Sequence, residues 1–584
     1  MDSLSTLQHI LMPNNKFGAS TSMYINGNQY NIINDRITIY PGGRISFDTY
    51  YNSFSTILWR KECGISNVSF MASGYGKAYF RVLLITDTSA KYEIISGVEI
   101  LSREKNRIID IDLSTLKYDG LIYIEILSQD EKLIFTSGEW VTSLSPRRFI
   151  SLGITVTHFN RKEYILPAIK KIKNEILNDE KYNNISFIIV DNSRNITTDE
   201  AQGIKIIQNK NTGGAGGFMR GLIEYMNHGN ITHVLFMDDD VSCEPESIKK
   251  AYAILSFVIK NNSAVSGSLF MESSPDVLIE KSGYFDTICR PIFHGRLLNN
   301  IESVVECEML PQRPNYGGWW FFAFPVKHVK YMAFPFFVRG DDILFGMMNK
   351  FNIISTNGIA CYSEDFATKV SAMTWYLDTR NHIVNMLLFK KPIRNIIKTY
   401  STFYLSCLLS HQYGSVKAVR LALKHVFSSP TFWEENIDLA LIRKEIGDIS
   451  SKEQMVQTDI PHDNIDFRDN HESRTRRVIR IISINGILLP LKNKIIYQSK
   501  GSRASLRQIF RYKKIFFHNK KNNTGYIAEV SRTEFFSGMI LLISDCISVI
   551  LFTSPQRKKY SKLVTLLTSV EFWKRKLFQT PNEE

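Results

Sequence analysis

His233-Val234-Leu235-Phe236-Met237 runs directly into Asp238-Asp239-Asp240. An apolar run of this length reads as a strand buried on both faces, the kind found in largely parallel sheets. Three carboxylates at its end repel one another wherever they are ionised. A hard divalent cation offsets that repulsion, takes oxygen ligands from one or two of them and leaves coordination positions for a diphosphate. The triplet is therefore read as a metal and nucleotide-sugar site, against the blander reading of a solvated acidic turn.

Upstream, apolar runs at 152–157, 185–190 and 204–207 alternate with helical stretches near 163–177 and 217–226. This alternation specifies βαβ units and a Rossmann-like sheet. Ligands of such sheets lie beyond the carboxyl ends of the strands, which selects Asn160 and Arg161, Asp191 and Asn192, and residues 209–220 together with the triplet.

Asn211-Thr212-Gly213-Gly214-Ala215-Gly216-Gly217-Phe218-Met219-Arg220-Gly221 is a glycine-rich loop entering a helix, a shape that brings backbone N–H groups close to phosphate or sugar oxygens. It lacks the P-loop lysine, and Met219 occupies the third glycine position of the dinucleotide fingerprint. The competing reading is close packing of helix on sheet. Pro314-Asn315-Tyr316-Gly317-Gly318-Trp319-Trp320 joins a flexible turn to two large aromatics; one is expected to pack and one to meet a sugar face. Phe336-Phe337-Val338-Arg339-Gly340-Asp341-Asp342 puts two carboxylates at a helix start. Capping explains one of them; the second is the type of group that removes a proton from an attacking hydroxyl.

Residues 20–147 are short β-rich runs separated by turns such as Pro41-Gly42-Gly43, the pattern of an antiparallel sandwich. After about residue 384 the runs at 393–409 and 416–426 read as helices, and 447–470 as a polar linker. The expected architecture is multi-domain α/β: a β-sandwich over 1–147, a Rossmann-like mixed-sheet domain over 148–384 and a basic α-helical region over 385–584.

All of the +14 net charge is C-terminal, since residues 386–584 hold 33 Lys and Arg against 17 Asp and Glu. The cations are interleaved with Leu, Ile and Phe, and no recognition module is legible, so a nucleic-acid partner is not expected. Arg503–Lys521 and Arg557–Phe578 read instead as basic amphipathic helices for an anionic membrane surface. The apolar run 535–553 carries Asp545 near its middle, which favours a buried or interface helix over a span. Residues 1–18 do not read as a secretory signal, and seven widely spaced cysteines do not read as a disulfide framework. A cytoplasmic protein with reduced thiols is expected.

In this order the four motifs resemble those of bacterial galactofuranosyltransferases, members of the inverting GT-A glycosyltransferase family 2. The flanks extend the resemblance over about residues 20–400, through Thr157-His158-Phe159-Asn160-Arg161 and Trp375-Tyr376-Leu377-Asp378-Thr379-Arg380-Asn381. It implies a GT-A fold behind a jelly-roll-like sandwich. It also implies galactofuranose transfer from UDP-galactofuranose to a lipid-linked cell-surface glycan such as O-antigen or capsule, on the inner face of the cytoplasmic membrane. Asp238 and Asp240 would hold Mn²⁺ or Mg²⁺. Arg161, Asp191, Asn211, Gly214, Gly216, Gly217, Asp238 and Asp239 would contact the donor. Trp319 and Trp320 would meet the acceptor, and Asp342, assisted by Asp341, would be the base. Ser363 stands where the family offers a metal-binding histidine, and Glu364 or Asp365 is the expected substitute. The motifs leave open another donor (UDP-galactopyranose, UDP-N-acetylglucosamine or a dTDP-deoxysugar), a noncatalytic carbohydrate-binding protein, and homo-oligomer formation.

Overall fold

The computed structural model describes residues 4–13, 18–104, 106–364, 369–458, 465–468, 471–499 and 505–578. Asp365, and parts of the expected linker and of the first basic stretch, lie outside them.

Nine antiparallel strands form the N-terminal sandwich, and two of them serve both layers. Arg36–Ser46 pairs with Leu133–Thr142 through Ile37 to Ile39, and with Leu121–Leu127 through Arg44 to Ser46. Between these contacts lies Pro41-Gly42-Gly43, with Gly42 at φ +74°. Asn67–Ile85 changes partners in the same way around Gly74 and Gly76. A Cβ on Gly74 would stand 2.1 Å from the Ile134 carbonyl oxygen, so only glycine lets the strand turn this corner. Phe54, Phe70 and Trp140 fill the space between the layers, with ring centroids 4.8 and 5.1 Å apart.

The central sheet has seven strands, in the order Lys205–Gln208, Ile185–Asp191, Leu152–His158, His233–Asp238, Phe322–Pro325, Ser263–Ser266 and Asn352–Ile354. The first four are parallel, and Phe322–Pro325 runs against both of its neighbours. One face shares a core with the sandwich and with the helices Lys162–Ile172 and Pro245–Phe257. The other packs on Gly213–His228 and on the C-terminal helices. Every apolar run read from the sequence upstream of the triplet is one of these strands.

The C-terminal region is helical, and Ile393–Leu409 and Tyr413–Val426 lie where expected. The helix Ala372–Leu388 crosses the boundary expected at residue 384. A five-stranded sheet, Val456–Gln457, Thr524–Glu529, Tyr512–Asn519, Lys492–Ser499 and Ile465–Asp466, is set among the helices. It corrects the reading of Arg503–Lys521 as an amphipathic helix. Ile515, Phe516 and Phe517 favour a pleated surface, and Asn523, at φ +47°, helps to turn the strand back on itself. The second basic stretch is helical, but Phe572 and Trp573 are buried, with the Trp573 indole N–H donating to the Ala333 carbonyl at 2.8 Å. Its apolar face belongs to the core.

Candidate active site

Parallel pairing sets Thr157 level with Asp238, so the first strand of the sheet and the acidic strand end together. Asp239 is consumed by that neighbour: its carboxylate accepts from the Phe159 N–H at 2.9 Å, from Arg161 at 2.9 Å, and meets His158 Nδ1 at 3.2 Å. Burial disfavours charge on His158, but hydrogen bonds with Asp239 and Asn195 outweigh it and raise its pKa. Asp239 thus positions Arg161 and is not itself presented to a donor. Arg161 reaches on to Asp240 at 3.0 Å, and Lys369 also bonds Asp240. Asp238 makes no ion pair among the described residues. Burial, with Asp240 and Asp239 beside it, pushes its carboxyl up to about 7.

The chemistry of this donor set suits a hard cation, since Asp238 is a half-buried carboxylate without an ion-pair partner among the described residues and Asp240 adds further oxygens. Among the described residues no group of three His, Cys, Asp or Glu side chains is placed to hold a metal ion by itself. Ser363 is buried and its hydroxyl donates to the Glu364 carbonyl. The Glu364 carboxylate bonds Lys521 from the C-terminal sheet, so its oxygens are held at the rim and not at the triplet.

Two further candidates are turned inward. Asp191 is fully buried and accepts from the backbone N–H groups of Ser193, Arg194, Asn195 and Ile196 and from the Ser193 hydroxyl. Burial opposes its charge, but these bonds prevail and lower its pKa; it shapes a loop and has no lone pair left for a nucleotide base. Gly216 and Gly217 serve packing: a Cβ there would stand 1.9 Å from Thr212 Oγ1 and 2.2 Å from Thr157 Cγ2. At Gly217 the helix comes this close to the strand Leu152–His158 because the side chain is missing, while Gly216 makes room for Thr212 at the start of its own helix. Gly214 is different. A Cβ on it would make ordinary contacts, 3.6 Å from Val338 Cγ1 and 4.0 Å from Asp341 Oδ2, so this glycine packs beside the Asp341 carboxyl without crowding. Asn211 caps the turn, accepting from the Gly213 N–H at 3.1 Å.

The second wall of the cleft is the start of the helix Asp341–Asn349. Its entry loop holds Phe337 and Arg339 at φ +75° and +70°, left-handed geometry that these residues adopt only under constraint. The helix Ala372–Leu388 supplies the constraint. Arg380 donates to the Phe336 carbonyl at 2.6 Å, Asn381 to the Val338 and Arg339 carbonyls at 3.0 and 2.6 Å, and Asp378 pairs with Arg339. The segment Trp375 to Asn381 thereby scaffolds the loop. Burial and Asp342 hold Asp341 well above the usual carboxylate range. Burial pushes Asp342 up to about 6, opposed by N–H groups of the helix start such as that of Ile343 at 2.8 Å.

Trp319 and Trp320 both belong to the core, 4% and 7% exposed. Trp319 wedges among Phe218, Phe236 and Phe345, joining the glycine-loop helix to the Asp341 helix, and the Trp320 indole donates to the Gly267 carbonyl at 2.9 Å. The expected division into one packing and one sugar-facing ring is not what the fold adopts. Two residues that the sequence reading passed over stand beside the cleft. Lys369 has no pattern around it. Glu280, pushed up to about 8 by burial and by Asp342, follows the apolar residues Val277-Leu278-Ile279, the same signal that marked Asp238.

This fold and site define a class. Residues 154–285 match the family described as Glycosyl transferase family 2. Residues 7–143 match Galactofuranosyltransferase 2 N-terminal. Two relatives share the name galactofuranosyltransferase GlfT2. That of Mycolicibacterium smegmatis is 23% identical over 429 residues, covering 68% of this chain and 65% of the relative. That of Mycobacterium tuberculosis is 21% identical over 424 residues, covering 66% and 65%. The chain therefore spans just under two thirds of the length of each. Among solved structures, mannosyl-3-phosphoglycerate synthase from Rubrobacter xylanophilus aligns with 41% of this chain and 74% of its own, at 13% identity and a TM-score of 0.27.

Proposed function

We propose that this chain is an inverting glycosyltransferase that moves galactofuranose from UDP-galactofuranose to a hydroxyl of a growing, lipid-linked cell-surface glycan at the cytoplasmic face of the membrane. The observation that carries this reading is the meeting of the motifs at Asp341, whose Oδ2 lies 4.0 Å from where a Cβ on Gly214 would stand and whose carboxyl feels the charge of Asp238. The donor assignment is supported by the N-terminal domain match and the named relatives.

In the reaction the acceptor hydroxyl gives its proton to the Asp342 carboxylate while its oxygen bonds the anomeric carbon. The bond from that carbon to the diphosphate oxygen breaks on the opposite face, and the nucleoside diphosphate leaves with the electron pair. Asp341 stays protonated beside it and is free to donate to a sugar hydroxyl, because two adjacent buried carboxyls do not both ionise. Arg161 and Lys369, both within reach of Asp240, meet the departing charge. Asp238 and Asp240 would hold Mn²⁺ or Mg²⁺, which supplies further neutralisation of the leaving group when bound.

A transfer assay across nucleotide sugars, with chelator and with added metal, tests this. Turnover with UDP-galactofuranose, lost in excess chelator and restored by Mg²⁺ or Mn²⁺, is expected. Turnover with only UDP-galactopyranose, UDP-N-acetylglucosamine or a dTDP-deoxysugar would reassign the donor. Full activity in chelator would remove the metal, and glycan binding without turnover on any donor would leave a noncatalytic carbohydrate-binding protein.

A further inference from the structure

We propose that Cys243 and Cys361 form a redox site: a hydroperoxide converts the two thiols to a disulfide, which fastens the acidic turn to the strand beside it and slows transfer. The effect on transfer rests on the function proposed above; the disulfide itself does not.

Antiparallel pairing of Ser242–Cys243 with Ala360–Ser363 sets Cys243 directly opposite Cys361. Opposed residues of such a ladder have Cα atoms about 4.5 to 5.5 Å apart and side chains on the same face. A disulfide needs about 4.4 to 6.8 Å, so the sheet already holds the two sulfurs where they can bond without a shift of backbone. The thiols hydrogen-bond each other. Every cysteine among the described residues is a free thiol, and this is the one pair of them opposed across a ladder.

The pair adjoins the acidic cluster. Ser242 follows Asp240 by two residues, Cys361 precedes Ser363 by two, and Cys361 feels the charge of Asp238. Ser242–Cys243 is an edge strand two residues long, whereas Ala360–Ser363 is held on its other side by Ser268–Met271. So short a pairing opens at little cost, which leaves the turn from Asp240 to Cys243 free to adjust to a ligand. A covalent bond at its end removes that freedom.

Burial gives the two sulfurs different parts. Val241 and Ser242 are part-exposed and Cys243 is 8% exposed, so an oxidant the size of water reaches Cys243 from the side of the turn. Cys361 is fully buried and is reached only by Cys243. In the first step the Cys243 sulfur attacks hydrogen peroxide: an S–O bond forms, the O–O bond breaks, and water leaves with the thiol proton. The product is a sulfenic acid. The Cys361 sulfur then attacks the Cys243 sulfur, the S–S bond forms, the S–O bond breaks, and a second water carries away the Cys361 proton. Two electrons pass from sulfur to oxygen, and thiol exchange with a reductant reverses the change.

Peptide mass spectrometry of the folded full chain tests the proposal, after graded hydrogen peroxide and alkylation of the remaining thiols. Peptides holding Cys243 and Cys361 should appear joined, two hydrogens lighter than their sum, and should separate again with dithiothreitol. In parallel, kcat/KM should fall about tenfold or more in the oxidised protein and recover with dithiothreitol. C243A and C361A should turn over like wild type in reductant, form no joined peptide, and keep their activity in the same peroxide. Alkylation of both cysteines in peroxide-treated wild type overturns the proposal, as does Cys243 found only as a sulfinic or sulfonic acid. A joined pair with undiminished transfer would overturn the control assigned to it. Absence of transfer from every donor in the reduced protein would overturn the function proposed above, while the joined peptide would still decide the disulfide.

Discussion

Two groups of adjacent carboxylates face the cleft, and the protein treats their charge in opposite ways. At the end of His233–Asp238 it supplies cations: Asp239 and Asp240 are met by His158, Arg161 and Lys369. At the start of Asp341–Asn349 the pair is met by burial and backbone N–H groups, and neither aspartate forms an ion pair among the described residues. Asp238, in the same triplet as Asp239 and Asp240, forms no ion pair among the described residues and is pushed up to about 7 by burial and its two neighbours. Burial raises both carboxyls of the Asp341 and Asp342 pair, Asp342 to about 6, where it can take up and release a proton. On the function proposed above, the difference separates a binding group from a catalytic one.

The largest effect that would break this division comes from Asp342→Asn. It should lower kcat by about 100-fold or more while donor affinity, read by calorimetry, stays within a factor of about two; near-normal turnover would remove Asp342 as the base. Lys369→Met should do the reverse. Loss of a charge-assisted contact should raise the donor KM by about tenfold with kcat held nearly constant, and a fall in kcat alone would place Lys369 on the catalytic side. Protonation supplies a sharper test. Because the Asp342 value is raised to about 6 and its ionised form is the active one, kcat/KM should fall as pH drops through that value and level off above it. A profile flat down to pH 5 would show the pair to be ionised throughout. The smallest effect concerns stability: Gly217→Ala should cost about 1–3 kcal/mol in urea unfolding by overpacking against Thr157, whereas Gly214→Ala, whose added methyl makes only ordinary contacts, should unfold like wild type and change donor binding instead.

The same contrast explains what the sequence could tell. The sheet was legible because parallel strands buried on both faces leave uninterrupted apolar runs, and each run upstream of the triplet became a strand. The places of Asp238, Asp240 and Asp342, at a strand end and a helix start, were legible because a carboxylate after an apolar run or at a helix start is a strong local signal; their roles remain those proposed above. Asp191, Gly216 and Gly217 were misread for one reason: backbone-shaping and ligand-binding draw on the same residue types, and only the distances to Ser193, Thr212 and Thr157 separate them. Trp319 and Trp320 followed suit, since paired aromatics serve a core as readily as a sugar. Lys369 could not be found at all. Its meaning lies in reaching Asp240, 129 residues away in the chain.

Tyr24, Tyr50 and Tyr51 of the sandwich share a core with Phe270 and Tyr362 of the central domain, and the Tyr51 and Tyr362 hydroxyls bond at 2.5 Å. Tyr362 lies in Ala360–Ser363, the strand that ends next to the acidic triplet. During synthesis the sandwich is complete long before its partner strand leaves the ribosome. At roughly 5–20 residues per second the interval is on the order of ten to forty seconds, during which a face of tyrosines waits without its cover. The nascent chain therefore passes through a stage with one finished domain and one adhesive surface. Fragment 1–147 should accordingly fold, bind a hydrophobic dye at that face, and lose the dye when the rest of the chain is supplied.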